Sequence, residues 1–104
     1  MSKVFVIQRN DGRMDLRPAE GFGEIRFVVP KEISVFRTDA LIAEIDAGLQ
    51  GFNQDSDYII PVGNPTIIGM VFAILGQESE TINVLHWTAR ERQYVPLKFS
   101  LCSP

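Results

Sequence analysis

The chain has 104 residues, enough for one domain and too few for two. Its formal charge of -3, from 10 Lys+Arg against 13 Asp+Glu, lacks the basic footprint with which a nucleic-acid binder announces itself. One histidine and one cysteine, Cys102, exclude an internal disulfide and any two-cysteine metal site.

The single thiol fits a reducing cytosol, and a cytoplasmic location is expected. The apolar run after Lys3 covers only residues 4–7, too short for a signal peptide. No repeat, low-complexity tract or linker interrupts residues 1–104, which read as a single α/β domain. No metal and no cofactor is expected.

In chain order, residues 4–7 (Val-Phe-Val-Ile) are apolar on both faces and predict an interior strand ending at Gln8, Arg9 and Asn10. Asp11-Gly12 is a hairpin turn signal, with residues 14–17 as the return strand. Residues 18–23 read as loop. Residues 24–29 alternate, with Ile25, Phe27 and Val29 facing in, and Pro30 ends the strand. Residues 31–37 are irregular, with Ile33, Val35 and Phe36 tucked against the core. A helix is predicted over 39–50, capped by Thr38 or Asp39, with Leu41, Ile42, Ile45 and Leu49 as its apolar face.

The most apolar stretch runs from Asp57 to Gly76. Residues 58–62 form a buried strand, with Pro61 removing one ladder donor near its end. Gly63 turns the chain, Asn64 caps a helix, and Pro65 suits its first position. That helix is predicted over 65–75, stopping at Gly76. No side chain from Ile67 to Leu75 is polar, so the helix should be covered on most sides, although it is far below the roughly 20 residues of a membrane span. The strand at 82–87 should lie parallel to the one at 58–62, joined by a right-handed crossover. A charged turn at 88–93 leads to a last strand at 94–101. Val95, Leu97, Phe99 and Leu101 form its inward face, while Pro96 and Lys98 discourage further pairing at a sheet edge. The sum is a mixed sheet of five to six strands with two helices and a β-α-β-β C-terminal unit.

Open sheets of this kind bind ligands beyond the carboxyl ends of their strands, and a helix start can hold an anion. Those rules gather Arg9, Asn10, Gly63, Asn64, Thr66 and His86, with Trp87 nearby, as a candidate ligand-binding site. Helix capping alone also accounts for the residue types at 63–66. The glycines and lysine of a phosphate loop or dinucleotide fingerprint are missing. No serine sits in a nucleophile elbow, and the pairs Asp55 with Asp57 and Glu78 with Glu80 read as solvated loop, so no catalytic residue is assigned. Trp87, Arg90, Arg92 and Tyr94 around the last turn form a candidate interaction surface, although cross-strand packing equally accounts for the two aromatic residues.

The run V-G-N-P, the apolar helix, I-N-V-L-H-W, a charged turn and Y-V-P-L-K-F-S-L, together covering about residues 57–101, resembles small proteins of bacteriophage and prophage genomes. The resemblance implies a phage-encoded accessory factor acting inside a bacterial host and carries no functional residues over. The leading expectation is a non-enzymatic protein acting through protein–protein interaction, as a homodimer, on a host or phage protein. One alternative is a small-molecule or nucleotide domain binding an anion at Gly63, Asn64 and Thr66. Another is a phosphohydrolase or nuclease using His86.

Overall fold

The computed structural model describes residues 2–9, 15–30 and 32–101. Its elements are β1 (Lys3–Gln8), a 3-10 helix (Arg17–Phe22), β2 (Glu24–Val29), α1 (Thr38–Gly48), β3 (Tyr58–Ile60), α2 (Pro65–Glu78), β4 (Thr81–Thr88) and β5 (Gln93–Ser100). The five strands form one sheet in the order β2-β1-β3-β4-β5. β1 runs parallel to both β2 and β3, β3 parallel to β4, and β5 antiparallel to β4. The mixed α/β sheet and the parallel β3–α2–β4 crossover are as the sequence predicts.

The expected N-terminal hairpin is replaced by a third parallel pairing. The Asp11-Gly12 turn lies outside the described residues. Of the return strand, Asp15 and Leu16 are not extended into the sheet and Arg17 opens the 3-10 helix. The physical reason is a three-residue period. Leu16, Ala19 and Phe22 recur at the 3.0-residue turn of a 3-10 helix and all pack into one cluster. Pro18 in the first turn costs that helix no hydrogen bond.

Crossover handedness decides which face each segment covers. From β1 the chain steps one way across the sheet to β2. From β2 to β3, and again from β3 to β4, it steps the other way. Right-handed connections stepping in opposite directions lie on opposite faces. Accordingly, Leu41 and Ile45 of α1 and Ile67, Val71 and Leu75 of α2 share one core cluster with Phe5, Ile7, Ile59, Ile82 and Val84. Ala19 and Phe22 of the 3-10 helix pack with Val4, Val6, Ile60 and Leu85 on the other face. β1 is therefore buried on both sides, as its unbroken apolar run predicts, and each such side chain contributes about 1.5–3 kcal/mol.

Several boundaries and facings differ from expectation. α1 begins at Thr38 after Arg37, without a side-chain cap, and ends at Gly48, where its last turn meets β2 so closely that a Cβ would overlap the Val28 carbonyl. Ile42 and Phe27 are substantially exposed, and Phe36, expected to tuck inward, is 91% exposed. α2 continues through Gly76 to Glu78 and is capped at Ser79, whose N–H donates to the Leu75 carbonyl (2.9 Å). Gly76 lies on the exposed side and keeps helical backbone there. Nor is α2 covered on most sides: Ile67, Val71 and Leu75 are buried, while Gly69, Met70 and Ala73 face outward.

Asp57, read as solvated loop, is fully buried at the amino-terminal edge of the sheet. Its carboxylate accepts the Lys3 N–H (2.8 Å) and the Asn53 N–H (2.8 Å), and pairs with Lys3 Nζ at 3.5 Å. Gln54 Oε1 next to it accepts the N–H groups of Glu80 (2.7 Å) and Thr81 (3.1 Å), tying the loop to the start of β4. Replacing Asp57 by alanine strands two backbone donors and a half-buried ammonium. The Asp57→Ala variant is expected to lose about 2–4 kcal/mol in urea unfolding, because unsatisfied buried donors cost about 1–3 kcal/mol each.

Candidate functional site

The carboxyl ends of β1, β3 and β4 lie at one edge of the sheet, and the predicted site can be built there residue by residue. After β3 the chain turns at Gly63, whose φ of 126° lies in the region that favours glycine. A Cβ at Gly63 would also strike the Gln8 side chain. Asn64 caps α2, its Oδ1 accepting the Thr66 N–H at 2.8 Å. Gln8, the last residue of β1, accepts the Asn64 N–H through Oε1 at 2.7 Å, and its own N–H donates to the Val62 carbonyl at 3.1 Å.

This geometry commits the Asn64 and Thr66 donors that an anion would use. The Asn64 N–H goes to Gln8 and the Thr66 N–H to Asn64. Pro65 has none, and the Ile68 N–H bonds the Asn64 carbonyl at 3.0 Å. Ile67 is fully buried. The turn at 63–66 thus fastens β1 to α2 through Gln8 and caps the helix through Asn64. Sequence reasoning missed Gln8; its one signal was a polar residue directly after a run buried on both faces.

Gly63, Asn64 and Thr66 do come together. Asn10 lies outside the described residues. Arg9 is exposed, with its guanidinium 5.6 Å from the Phe27 ring centroid in a shallow groove shared with Val29, Pro30, Glu32 and Glu44, so its neighbours are on the β2 and α1 side. His86 is exposed on β4 opposite Val95. By alternation it shares the helix-bearing face with Ile82 and Val84.

Of the candidate interaction residues, Trp87 and Tyr94 are packed together. Their rings lie 4.9 Å apart, tilted by 58°, and both belong to the cluster on the 3-10 helix face. The Tyr94 hydroxyl donates to the Asp15 carbonyl at 3.3 Å, fastening β5 to the segment that opens the 3-10 helix. The Asp15 side chain accepts from Arg17 Nε and Nη2, each at 2.9 Å, and these bonds hold its carboxyl below the usual carboxylate range, with Arg92 adding to the effect. Arg90 and Arg92 are exposed in the turn at 89–92, where Arg92 adopts φ 54°.

The largest departure concerns β5. Its alternation is as predicted, with Val95 opposite His86, Leu97 opposite Val84 and Phe99 opposite Ile82 on the helix-bearing face. That row is open to solvent. Leu97 is 39%, Phe99 51% and Leu101 44% exposed. Between it and α2 runs an apolar groove floored by Ile82 and Val84, walled by Phe72, Phe99 and Leu101, and closed by Pro61. The β4–β5 connection is a short turn and brings no helix to cover this end of the sheet.

Among the described residues no group of three or more His, Cys, Asp or Glu is placed to hold a metal ion, and no helix is long and apolar enough to cross a membrane.

Replacing Gln8 by alanine leaves the Asn64 N–H without its acceptor, and Gln8→Ala is expected to lose about 1–3 kcal/mol of unfolding free energy. Tyr94 gives a pH test. Burial, with the nearby Asp15 charge, raises its phenol above the ordinary value of 10.0. The stabilisation is complete below the unfolded value and is lost as pH rises through the folded one, so thermal stability falls above about pH 10. Melting curves of Tyr94→Phe should show a shallower fall in that window than the parent protein.

No curated protein matches the chain, and no solved structure matches it. The family model described as Phage Pam3 gp32-like protein matches residues 2–101. The match takes in the N-terminal half as well as the stretch at 57–101 that carries the resemblance to phage proteins, so both β1 and β5 lie within it. The chain belongs to the Phage Pam3 gp32-like protein family.

Proposed function

We propose that this phage-family protein is a non-enzymatic accessory factor of the host cytoplasm, acting through protein–protein contact, and that the helix-bearing face of β5 with the flank of α2 is its contact surface, occupied by a second copy of the chain. The observation that carries the reading is the open apolar row of Leu97, Phe99 and Leu101 beside the groove walled by Phe72. Contiguous exposed apolar surface of this kind marks interaction sites, and here it lies at the one end of the sheet that no crossover helix covers. A second copy fits because the same open apolar row on each chain can be laid against its twin about a two-fold axis.

The anion-binding alternative at Gly63, Asn64 and Thr66 is disfavoured by the hydrogen bonds that already occupy that turn. The homodimer would then present its remaining surfaces to a host or phage protein.

Sedimentation velocity at micromolar concentration tests the reading. The wild-type chain should sediment as a dimer, and Phe99→Asp, which places a charge on an exposed position, should sediment as a monomer with an unchanged circular dichroism spectrum. A monomeric wild type, or a Phe99→Asp variant that remains dimeric, would refute it.

A further inference from the structure

Resting on the homodimer reading, we infer that the two-fold axis runs along the strands, so that each α2 lies on the other copy's β4 and β5 and is sandwiched between two sheets. The shape of the helix-bearing face points there. α1 lies against β2 and α2 against β1, which leaves β4 and β5 as an open ledge beside α2. The ledge is two strands wide, about 10 Å at the usual strand spacing, and one helix diameter deep. It has room for one helix.

α2 is the element that needs such a cover. No side chain from Ile67 to Leu75 is polar, and a helix apolar all round is ordinarily buried all round. Ile67, Val71 and Leu75 are buried and Phe72 walls the groove, yet Gly69, Ala73 and Gly76 are exposed. Gly69 and Gly76 stand three before and four after Phe72, which puts them on its side of the helix.

Only one axis brings ledge and helix together. An axis across the strands sets one α2 directly on the other and holds the β5 rows apart. An axis normal to the sheet joins the copies edge to edge through β5, which Pro96 and Lys98 oppose. An axis along the strands lets the two copies interlock. Each Phe72 flank then meets its twin, and the partner's Leu97 and Phe99 lie over Gly69 and Ala73. The strip covered on each copy takes in the ledge and the flank and top of α2. It measures about 20–25 Å by about 30 Å, so the pair buries on the order of 1,200–1,500 Å², the size of a stable interface.

The same axis makes the two α2 helices parallel, about 8–10 Å apart. Their carboxyl ends lie side by side, and Glu78 and Glu80 of both copies gather there beside two negative helix ends. The apolar contact therefore holds the dimer against a local repulsion.

Sedimentation equilibrium of the full chain reads both features. A Cβ at Gly69 or Gly76 meets nothing within 4 Å, and glutamate suits a helix interior better than glycine, so Gly69→Glu and Gly76→Glu are compatible with the fold. Circular dichroism checks this. Gly69→Glu sets a charge under the partner's sheet, and its dimer dissociation constant is expected to rise about a hundredfold or more, with Gly76→Glu acting in the same direction. Glu78→Gln combined with Glu80→Gln is expected to tighten the dimer about threefold or more at low salt and to match wild type at high salt. Folded Gly69→Glu and Gly76→Glu variants that dimerise like wild type, or a double glutamine variant no tighter than wild type at low salt, would overturn the sandwiched α2 while leaving the dimer and its Phe99 dependence intact. A monomeric wild type would remove both.

Discussion

The handedness of crossovers between parallel strands governs this molecule. Because β1 to β2 steps one way across the sheet and the next two connections step the other way, the 3-10 helix takes one face and both α-helices take the other. β1 and β3 at the centre are covered on both sides. β5 joins by a hairpin, which supplies no covering segment, so its helix-side row stays open. The exposure of Leu97 and Phe99 thus follows from topology, with no local peculiarity of β5 required.

Side chains with distant partners hold this arrangement at the two edges of the sheet. At the amino-terminal edge, buried Asp57 collects N–H groups from Lys3 and Asn53. At the carboxyl edge Gln8 fixes the turn into α2. Both work because a buried N–H without an acceptor costs more than a satisfied one gains. The same economy bears on function, since a helix start whose donors serve the fold offers little to an anion.

Much of this was legible from local pattern. The Asn64 cap, the Pro65 start, the two-sided burial of β1, the parallel β3–β4 pair and the alternation of β5 all follow from residue type and spacing within a few positions. The 3-10 helix was obscured because Pro18, Gly21 and Gly23 look like loop, while its signal is only the spacing of Leu16, Ala19 and Phe22. Gln8 and Asp57 were missed because their roles depend on partners more than fifty residues away. The alternation told which residues of β5 share a face. Whether anything covers that face depends on the direction of every crossover before it.

The central claim is that the β5 row and the Phe72 flank of α2 are buried between two copies. The most direct measurement is isotope-filtered NMR on an equal mixture of carbon-13-labelled and unlabelled protein. The account predicts intermolecular contacts from the Leu97 and Leu101 methyls to aromatic protons of Phe72 or Phe99. Their absence, with those methyls fully open to a soluble paramagnetic probe and tumbling at the rate of a single chain, would contradict it.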